Sequence, residues 1–496
     1  MKNSQTKDPV RIHLIAVGGT GMAPLACLLQ GRGHRVTGSD NPLYPPMSTL
    51  LERAGIRPLV GFDPAHLEPP PDLVIVGNAV PRDNPEAVAA ERLHQAGRLE
   101  RISMPEALWR FFLADRHRVV VAGTHGKTTT TSMSAWVWTA CGADPGYLVG
   151  GVPKDLPDSF REGGGADFIV EGDEYNAAYF DRGPKFLHYR PDTLILTSAE
   201  HDHADLYPTH RALLDAYGAL IGGMGEDALL VACADAPEVL ELARGTRCRV
   251  VTYGLGMEGG PDVTVEGGAA GVDAGIDAGG GTRVTLLDRS AAGGPAAGRA
   301  LQRHELRLAV PGRHNLSNAL AVWAAAHHRG LAARAVAEAL SRFHGVARRL
   351  EELGTAAGVT VIDDFAHHPT AVGESLAALV RRYPGRRLVA LFEPRSLTAG
   401  RAFLRDAYSR AFRDAGRVFF APLYYAERLG PEERIDFADL ARELSGAGVP
   451  AEACPSIDRL CARALEEAVE SDVLVTMSSG SFGGLPHRLL EALRAR

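Results

Sequence analysis

The chain has no concentrated basic block, and its net charge is −7 over 496 residues. That balance argues against a large nucleic-acid surface. It also lacks any apolar run approaching the roughly 18–20 residues of a membrane helix, so no membrane partner is expected. The opening MKNSQTKDPVRIHLIAVGG has only a short apolar run, which reads as a strand entering a glycine turn. A secretory signal needs a longer apolar core and a small-residue cleavage site. Cysteine is scarce, with six residues scattered at 27, 141, 233, 248, 454 and 461 and no CxxC pair. The thiols are therefore expected to be reduced, mostly in the core, in a cytoplasmic protein. One further absence is local. VVAGTHGKTTT (120–130) looks like a phosphate loop, yet Val121 stands where the usual pattern has its leading glycine.

What is present has the rhythm of α/β proteins. The length suits two to four domains, and 45% hydrophobic with 23% charged residues is ordinary for a globular enzyme. RIHLIAV (11–17), HRVTGSD (34–40) and DLVIVGNAV (72–80) read as strands separated by helical stretches, the βαβ pattern of a dinucleotide-type parallel sheet. VVVAGT (119–124), ADFIVEGDE (166–174) and DTLILTSAEHDH (192–203) open a second unit, and Met133, Trp136, Val137 and Ala140 recur at helical spacing after Lys127. GVTVIDDF, RRLVALFEPR, GRVFFAP and DVLVTMSSGSFGG form a third set of strands from about 344 onward. The Gly/Ala-rich stretch 254–300 is expected to be a weakly structured hairpin insertion or surface loop without chemistry. The predicted architecture is three α/β domains: Rossmann-like at 1–117, a P-loop ATPase unit at 118–343, and a second Rossmann-like unit at 344–496.

In GTHGKT, Gly123, Thr124, Gly126, Lys127, Thr128 and Thr129 form a loop between a strand and a helix. Backbone N–H groups and the helix N-terminus suit phosphate. Lys127 can reach terminal phosphate oxygens, and the Thr128 hydroxyl can ligate Mg²⁺. GGTGM (18–22), with Asp40 closing the second strand, suits a pyrophosphate, but it is not a strict GxGxxG. A nicotinamide cofactor and a nucleotide-sugar diphosphate both fit it, as does a plain tight turn. EGDE (171–174) and EHDHAD (200–205) place carboxylates at strand ends, where Mg²⁺ would use oxygen ligands. The second cluster also allows a zinc site or a solvated acidic turn. Asn315 and Asn318 of HNLSN share a helical face and fit an adenine edge or a helix cap equally well. RRLE (348–351), DDFAHHPT (363–370), FEPRS (392–396) and SSGSFGG (478–484) add arginines, acids and polar loops at strand ends.

These motifs, in this order from Arg11 essentially to the C-terminus, resemble the Mur ligase family. GTHGKT matches its GTxGKT loop. The resemblance implies ATP-dependent amide-bond formation in bacterial wall metabolism, with domains for a UDP-sugar, for ATP and Mg²⁺, and for the incoming amino acid or peptide. GGTGM, Asp202-His203, GRHNLSN, RRLE and DDFAHHPT are similar to the branch that uses UDP-N-acetylmuramate. GSDNPLYPPMSTLLERAGI (38–56), EGDEYNAAYFDRGPKFLHYRP (171–191) and FEPRS are similar to members that add the tripeptide L-Ala-γ-D-Glu-meso-diaminopimelate during wall recycling. The alternative is the L-alanine-adding enzyme of new synthesis.

By position, the resemblance implies that Gly19, Thr20, Gly21 and Met22 line the UDP diphosphate, Asp40 and Asn78 lie near the uridine, and His125 faces the sugar. Lys127 and Arg349 would act on the transferring phosphoryl group, and His203 would be a catalytic and metal-site residue with Glu171 and Thr128. Asn315 and Asn318 would meet adenine and Asp364 the ATP ribose, while Arg395 and Ser396 would meet the peptide. Several Mur ligases carry a carbamoylated lysine shortly after the Asp-His pair. Residues 204–221 contain no lysine, so a second Mg²⁺ would rely on carboxylates such as Glu171.

Overall fold

A computed structural model describes residues 9–256, 260–276, 281–290 and 301–496. Three large sheets organise the described residues, with a two-stranded one of Asn176–Ala178 and Asp181–Pro184 beside them. The first is fully parallel, with strands in the order Leu59–Val60, Arg35–Asp40, Arg11–Ile15, Leu73–Val76 and Glu100–Ser103. Leu73–Val76, beside the central strand, is a continuous apolar run buried along its whole length, as burial on both faces demands. One polar group of residues sits inside this sheet. His13 Nε2 lies 2.7 Å from Glu86 Oε1, and the Ser39 hydroxyl donates to Glu86 Oε2 at 2.6 Å, with His13 and Glu86 completely buried.

The second sheet has ten strands. Thr193–Leu196, His117–Ala122 and Asp167–Gly172 are adjacent and parallel near its middle, so the loops that follow them open on the same edge. The helix Lys127–Ala140 that follows the phosphate loop is buried over most of its circumference. It is sandwiched between the sheet and the Ala-rich helix Arg313–His328, which explains why its apolar face is not narrow. The third sheet runs Glu351–Ala356, Val359–Asp364, Val473–Met477, Leu388–Phe392, Arg417–Phe420 and Ala451–Ala453, antiparallel only at the first pair. Three of its parallel strands, ending at Asp364, Met477 and Phe392, are again neighbours.

The Gly/Ala-rich stretch differs from the sequence expectation. Val263–Val265 and Thr282–Asp288 are strands of the large sheet, Gly268–Ala274 is a helix, and Val263, Val265 and Leu286 are buried. Short strands diluted by glycine give little periodic signal, but the pairing of Thr282–Asp288 with Gln302–Leu308 over seven residue pairs supplies the hydrogen bonds. Residues 257–259, 277–280 and 291–300 of that stretch lie outside the described residues. Among the described residues, no helix is long and apolar enough to cross a membrane. Five of the six cysteines are buried and all six are free.

Candidate active site

Ligands in open α/β sheets gather beyond the carboxyl ends of strands. Here the carboxyl ends of both the second and third sheets line one cleft of about 950 Å³. Its walls include Thr20, Thr124, His125, Gly126, Lys127, Thr128, Thr129, Glu171, His203, Asn315, Asn318, Arg349, Asp364, Arg395 and Ser396. Residues scattered over the whole sequence are thus brought together.

The phosphate loop is shaped by two glycines. Gly123 has φ +131°, and a Cβ there would lie 2.2 Å from Thr197 Oγ1 and 2.8 Å from the Ser198 backbone nitrogen. Gly126 has φ +79°, and a Cβ would lie 2.8 Å from Asn318 Oδ1. Both positions need left-handed backbone and close approach, which only glycine allows cheaply. Gly126 therefore lets the asparagine helix reach the loop. The Lys127 ammonium donates to the carbonyls of Gly123 at 2.6 Å and Thr124 at 3.3 Å, and to Glu174 at 2.9 Å. Burial alone would lower its pKa, but Glu174, Asp173 and Glu171 outweigh that and raise it. Thr128 donates to Glu171 Oε1 at 2.9 Å, and the Gly150 N–H donates to Glu171 Oε2 at 2.9 Å. Burial nevertheless raises the Glu171 carboxyl above its ordinary range.

Glu174 is a residue that sequence reasoning did not single out within EGDE. Its side chain is 1% exposed, and it pairs with both Lys127 and His203 Nε2, the latter at 2.8 Å. His203 adopts φ +52° and its backbone N–H donates to Asp202 Oδ1 at 2.7 Å. Burial pulls its pKa down, while Glu174 and Asp202 pull it up and prevail. The expected metal set divides accordingly. Thr128 and Glu171 stand together as hard oxygen donors beside the phosphate loop, which fits Mg²⁺. Among the described residues, the carboxylates within 4.0 Å of His203 Nε2 are Glu174 and Asp202, and Glu171 is not one of them.

Asn315 donates to the Pro311 carbonyl at 2.6 Å, and Asn318 donates to Asn315 Oδ1 at 3.5 Å, so the two amides form one buried edge. The two arginines of RRLE part company. Arg348 and Leu350 have φ of +58° and +50°, a costly conformation for non-glycine residues. Arg348 turns back to Asp363 at 3.1 Å and to the Ser478 carbonyl at 2.9 Å. The Leu350 N–H is held by Asp364 Oδ2 at 2.7 Å. This twist leaves Arg349 facing the cleft, over the Phe365 ring at 4.6 Å and without a carboxylate within 4.0 Å among the described residues. Burial lowers its pKa, although a guanidinium stays charged regardless. Asp364 also accepts from Ala366 N–H at 2.7 Å, so its carboxylate braces this loop. Arg395 lies over the Tyr424 ring at 4.2 Å, and the Ser396 hydroxyl accepts from Ala399 N–H at 2.9 Å.

The glycine turn of the first sheet sits at the same cleft through Thr20. Gly18 N–H donates to Asp40 Oδ2 at 2.8 Å, and Gly21 caps the helix Met22–Gly31. Asp40 also lines a second cavity of about 470 Å³ with Asn41, Leu43, Glu52 and Arg57. Gly19 and Thr20 are exposed, whereas Met22 is 4% exposed and its side chain belongs to the core. Asn78 is exposed after Leu73–Val76 and lines neither cavity.

Comparison with known proteins agrees with this layout. Residues 11–111 match the Mur ligase family catalytic domain, 121–326 the Mur ligase middle domain, and 348–480 the Mur ligase glutamate ligase domain. The chain belongs to the Mur ligase family. An Escherichia coli K12 protein, UDP-N-acetylmuramate–L-alanyl-γ-D-glutamyl-meso-2,6-diaminoheptandioate ligase, is 37% identical over 491 residues, 98% of each chain. A UDP-N-acetylmuramate–L-alanine ligase from Kineococcus radiotolerans is 39% identical over 436 residues, 87% of this chain and 85% of its own. The crystal structure of a murein peptide ligase from Psychrobacter arcticus superposes with TM-score 0.70 at 32% identity, covering 98% of this chain and 99% of that one. The Mur ligase assignment accounts for a phosphate loop and a second glycine turn opening on a shared cleft. A dehydrogenase has no use for the first of these.

Proposed function

We propose that the protein joins L-Ala-γ-D-Glu-meso-diaminopimelate to UDP-N-acetylmuramate at the expense of ATP, in peptidoglycan recycling. The observation that carries this reading is the single cleft where the phosphate loop, the glycine turn's Thr20 and Arg395 all open. The choice of tripeptide over L-alanine rests on likeness along the whole chain. Peptide-adding relatives matched over 98% of this chain are 37% and 35% identical, whereas alanine-adding relatives matched over the same share are 34% and 32% identical. On the same reading the three units run 1–117, 118–343 and 344–496.

The lactyl carboxylate of the sugar is a poor electrophile. Transfer of the γ-phosphoryl group of ATP makes it an acyl phosphate and releases ADP. Lys127 and Arg349 neutralise the charge on the moving group. Mg²⁺, held by Thr128 and Glu171, supplies further charge neutralisation when bound. The peptide α-amine, with a pKa of about 8, is already partly neutral and attacks the acyl carbon. Phosphate leaves from the tetrahedral adduct, and the amine proton passes to His203 or Glu174. Asn315 and Asn318 read adenine, and Asp364 holds the ribose. Gly19, Gly21 and the Met22 backbone take the diphosphate, with the Asp40 cavity as the uridine site, while His125 faces the sugar and Arg395 and Ser396 face the peptide. The test is ATP-dependent formation of the UDP-N-acetylmuramoyl tripeptide, detected by mass. Its absence with all three substrates present contradicts the reading.

A further inference from the structure

Three segments remote in sequence meet beside the phosphate loop, and two of the side chains they bring together, Glu200 and His368, have no part in the reaction described above. His125 lies in the loop, Glu200 follows the strand Thr193–Leu196, and His368 caps the helix Pro369–Arg382. His125 Nε2 is 3.6 Å from Glu200 Oε2, and His368 Nδ1 is 3.7 Å from the same oxygen. The imidazole centroids are 4.6 Å apart, and the three ligand atoms all lie within 4.8 Å of one another. Both nitrogens are shut away from solvent and have no hydrogen-bond partner among the described residues. The His368 side chain is only 7% exposed. Leaving such atoms bare is costly, about 1–3 kcal/mol each.

The surroundings fix each ligand. The His125 backbone N–H donates to Ser198 Oγ at 2.9 Å. Thr124 donates to the Glu200 carbonyl at 2.8 Å, and Thr370 donates to Glu200 Oε2 at 2.6 Å. Burial, and then His125, push the His368 imidazole down to about 3. Burial would raise Glu200, but His125, Thr370 and His368 draw it to about 2. These directions run toward the neutral imidazole and ionised carboxylate that bind metals, and His125 must likewise give up its proton to join them.

We propose that His125, Glu200 and His368 form a site for a borderline divalent cation of the Zn²⁺ or Co²⁺ type, separate from the Thr128–Glu171 oxygen pair. Two imidazoles and one carboxylate suit such ions, whereas Mg²⁺ favours oxygen alone. His125 and Glu200 also line the cleft, and a water from it would complete a four-coordinate set. Bonds of about 2.0–2.2 Å space tetrahedral ligands about 3.4 Å apart. Binding therefore contracts the set and draws the helix begun by His368 toward the phosphate loop, making the ion a clasp between the second and third sheets.

The test uses the full chain in excess Mg²⁺, titrated with Co²⁺ and followed by visible absorption. One Co²⁺ per chain with a four- or five-coordinate spectrum, displaced by Zn²⁺, is expected. His368→Ala and Glu200→Gln should each weaken binding by at least about 100-fold, since even changes outside the ligand shell cost 10–100-fold. Circular dichroism verifies folding, and the near-isosteric Glu200→Gln reports if His368→Ala fails to fold. His327→Ala, beside Asp288 rather than in the cluster, should bind as the parent does. Failure to bind Co²⁺ stoichiometrically, or binding unchanged in both cluster variants, overturns the proposal. Neither readout depends on ligase turnover.

Discussion

Gly480 offers a way to move Arg395 without touching it. A Cβ at Gly480 would lie 2.1 Å from Arg395 Nε, 2.2 Å from Cδ and 2.3 Å from Cζ, while the backbone φ is outside the positive region. Alanine is therefore compatible with the chain, and the flexible arginine must leave its place over Tyr424. If Arg395 grips a peptide carboxylate, its displacement removes a charge-assisted bond of about 1.5–3 kcal/mol, which raises the peptide KM by about 10–150-fold. The KM for ATP should stay within about twofold, because changes away from a contact are worth about 0.5 kcal/mol or less. Both constants come from phosphate release with the other substrates saturating. Arg395→Ala should show the same loss, and adding Gly480→Ala to it should change the free energy by less than about 0.5 kcal/mol. An unchanged peptide KM for Gly480→Ala, or additive losses in the double variant, would refute the reasoning.

Lys127→Ala should reduce phosphate release by at least about 100-fold, the cost of one transition-state donor; near-normal release would remove Lys127 from the chemistry. Gly123→Ala meets Thr197 and the Ser198 backbone and should cost about 1–3 kcal/mol of stability, with loss of ATP binding by calorimetry. Glu86→Ala strands His13 and Ser39, at about 1–3 kcal/mol for each partner left bare, read from urea unfolding. Burial would raise the Asp192 carboxyl, but hydrogen bonds from Arg118 hold it below its ordinary 3.8. The stability it contributes is complete above 3.8 and lost as pH falls through the lowered value. Asp192→Asn should thus be less stable than the parent near neutrality and converge with it in acid.

The parallel strands were legible because burial on both faces makes them unbroken apolar runs, as in VVVA at 119–122 and LIL at 194–196. The antiparallel margin of the large sheet was not, since VTV at 263–265 is too short and its neighbours too rich in glycine to show a period. At the cleft, residue type and order pointed to Lys127, Thr128, Glu171 and the two asparagines. Sequence could not rank the acids of EGDE, because alternation along a strand ends where the strand ends, at Gly172. Only the turn after it brings Glu174 under Lys127 and His203. Nor could it separate Arg348 from Arg349, a distinction made by left-handed backbone on both sides of Arg349. The meeting of His125 with His368 depends on how the third sheet is set against the second, which no local pattern encodes.

Phosphate release from ATP with UDP-N-acetylmuramate, compared between L-Ala-γ-D-Glu-meso-diaminopimelate and free L-Ala, tests the peptide-ligase assignment most directly. Turnover that depends on the tripeptide, with little or none from L-Ala, is the expected result. Turnover supported by L-Ala and not by the tripeptide would contradict it.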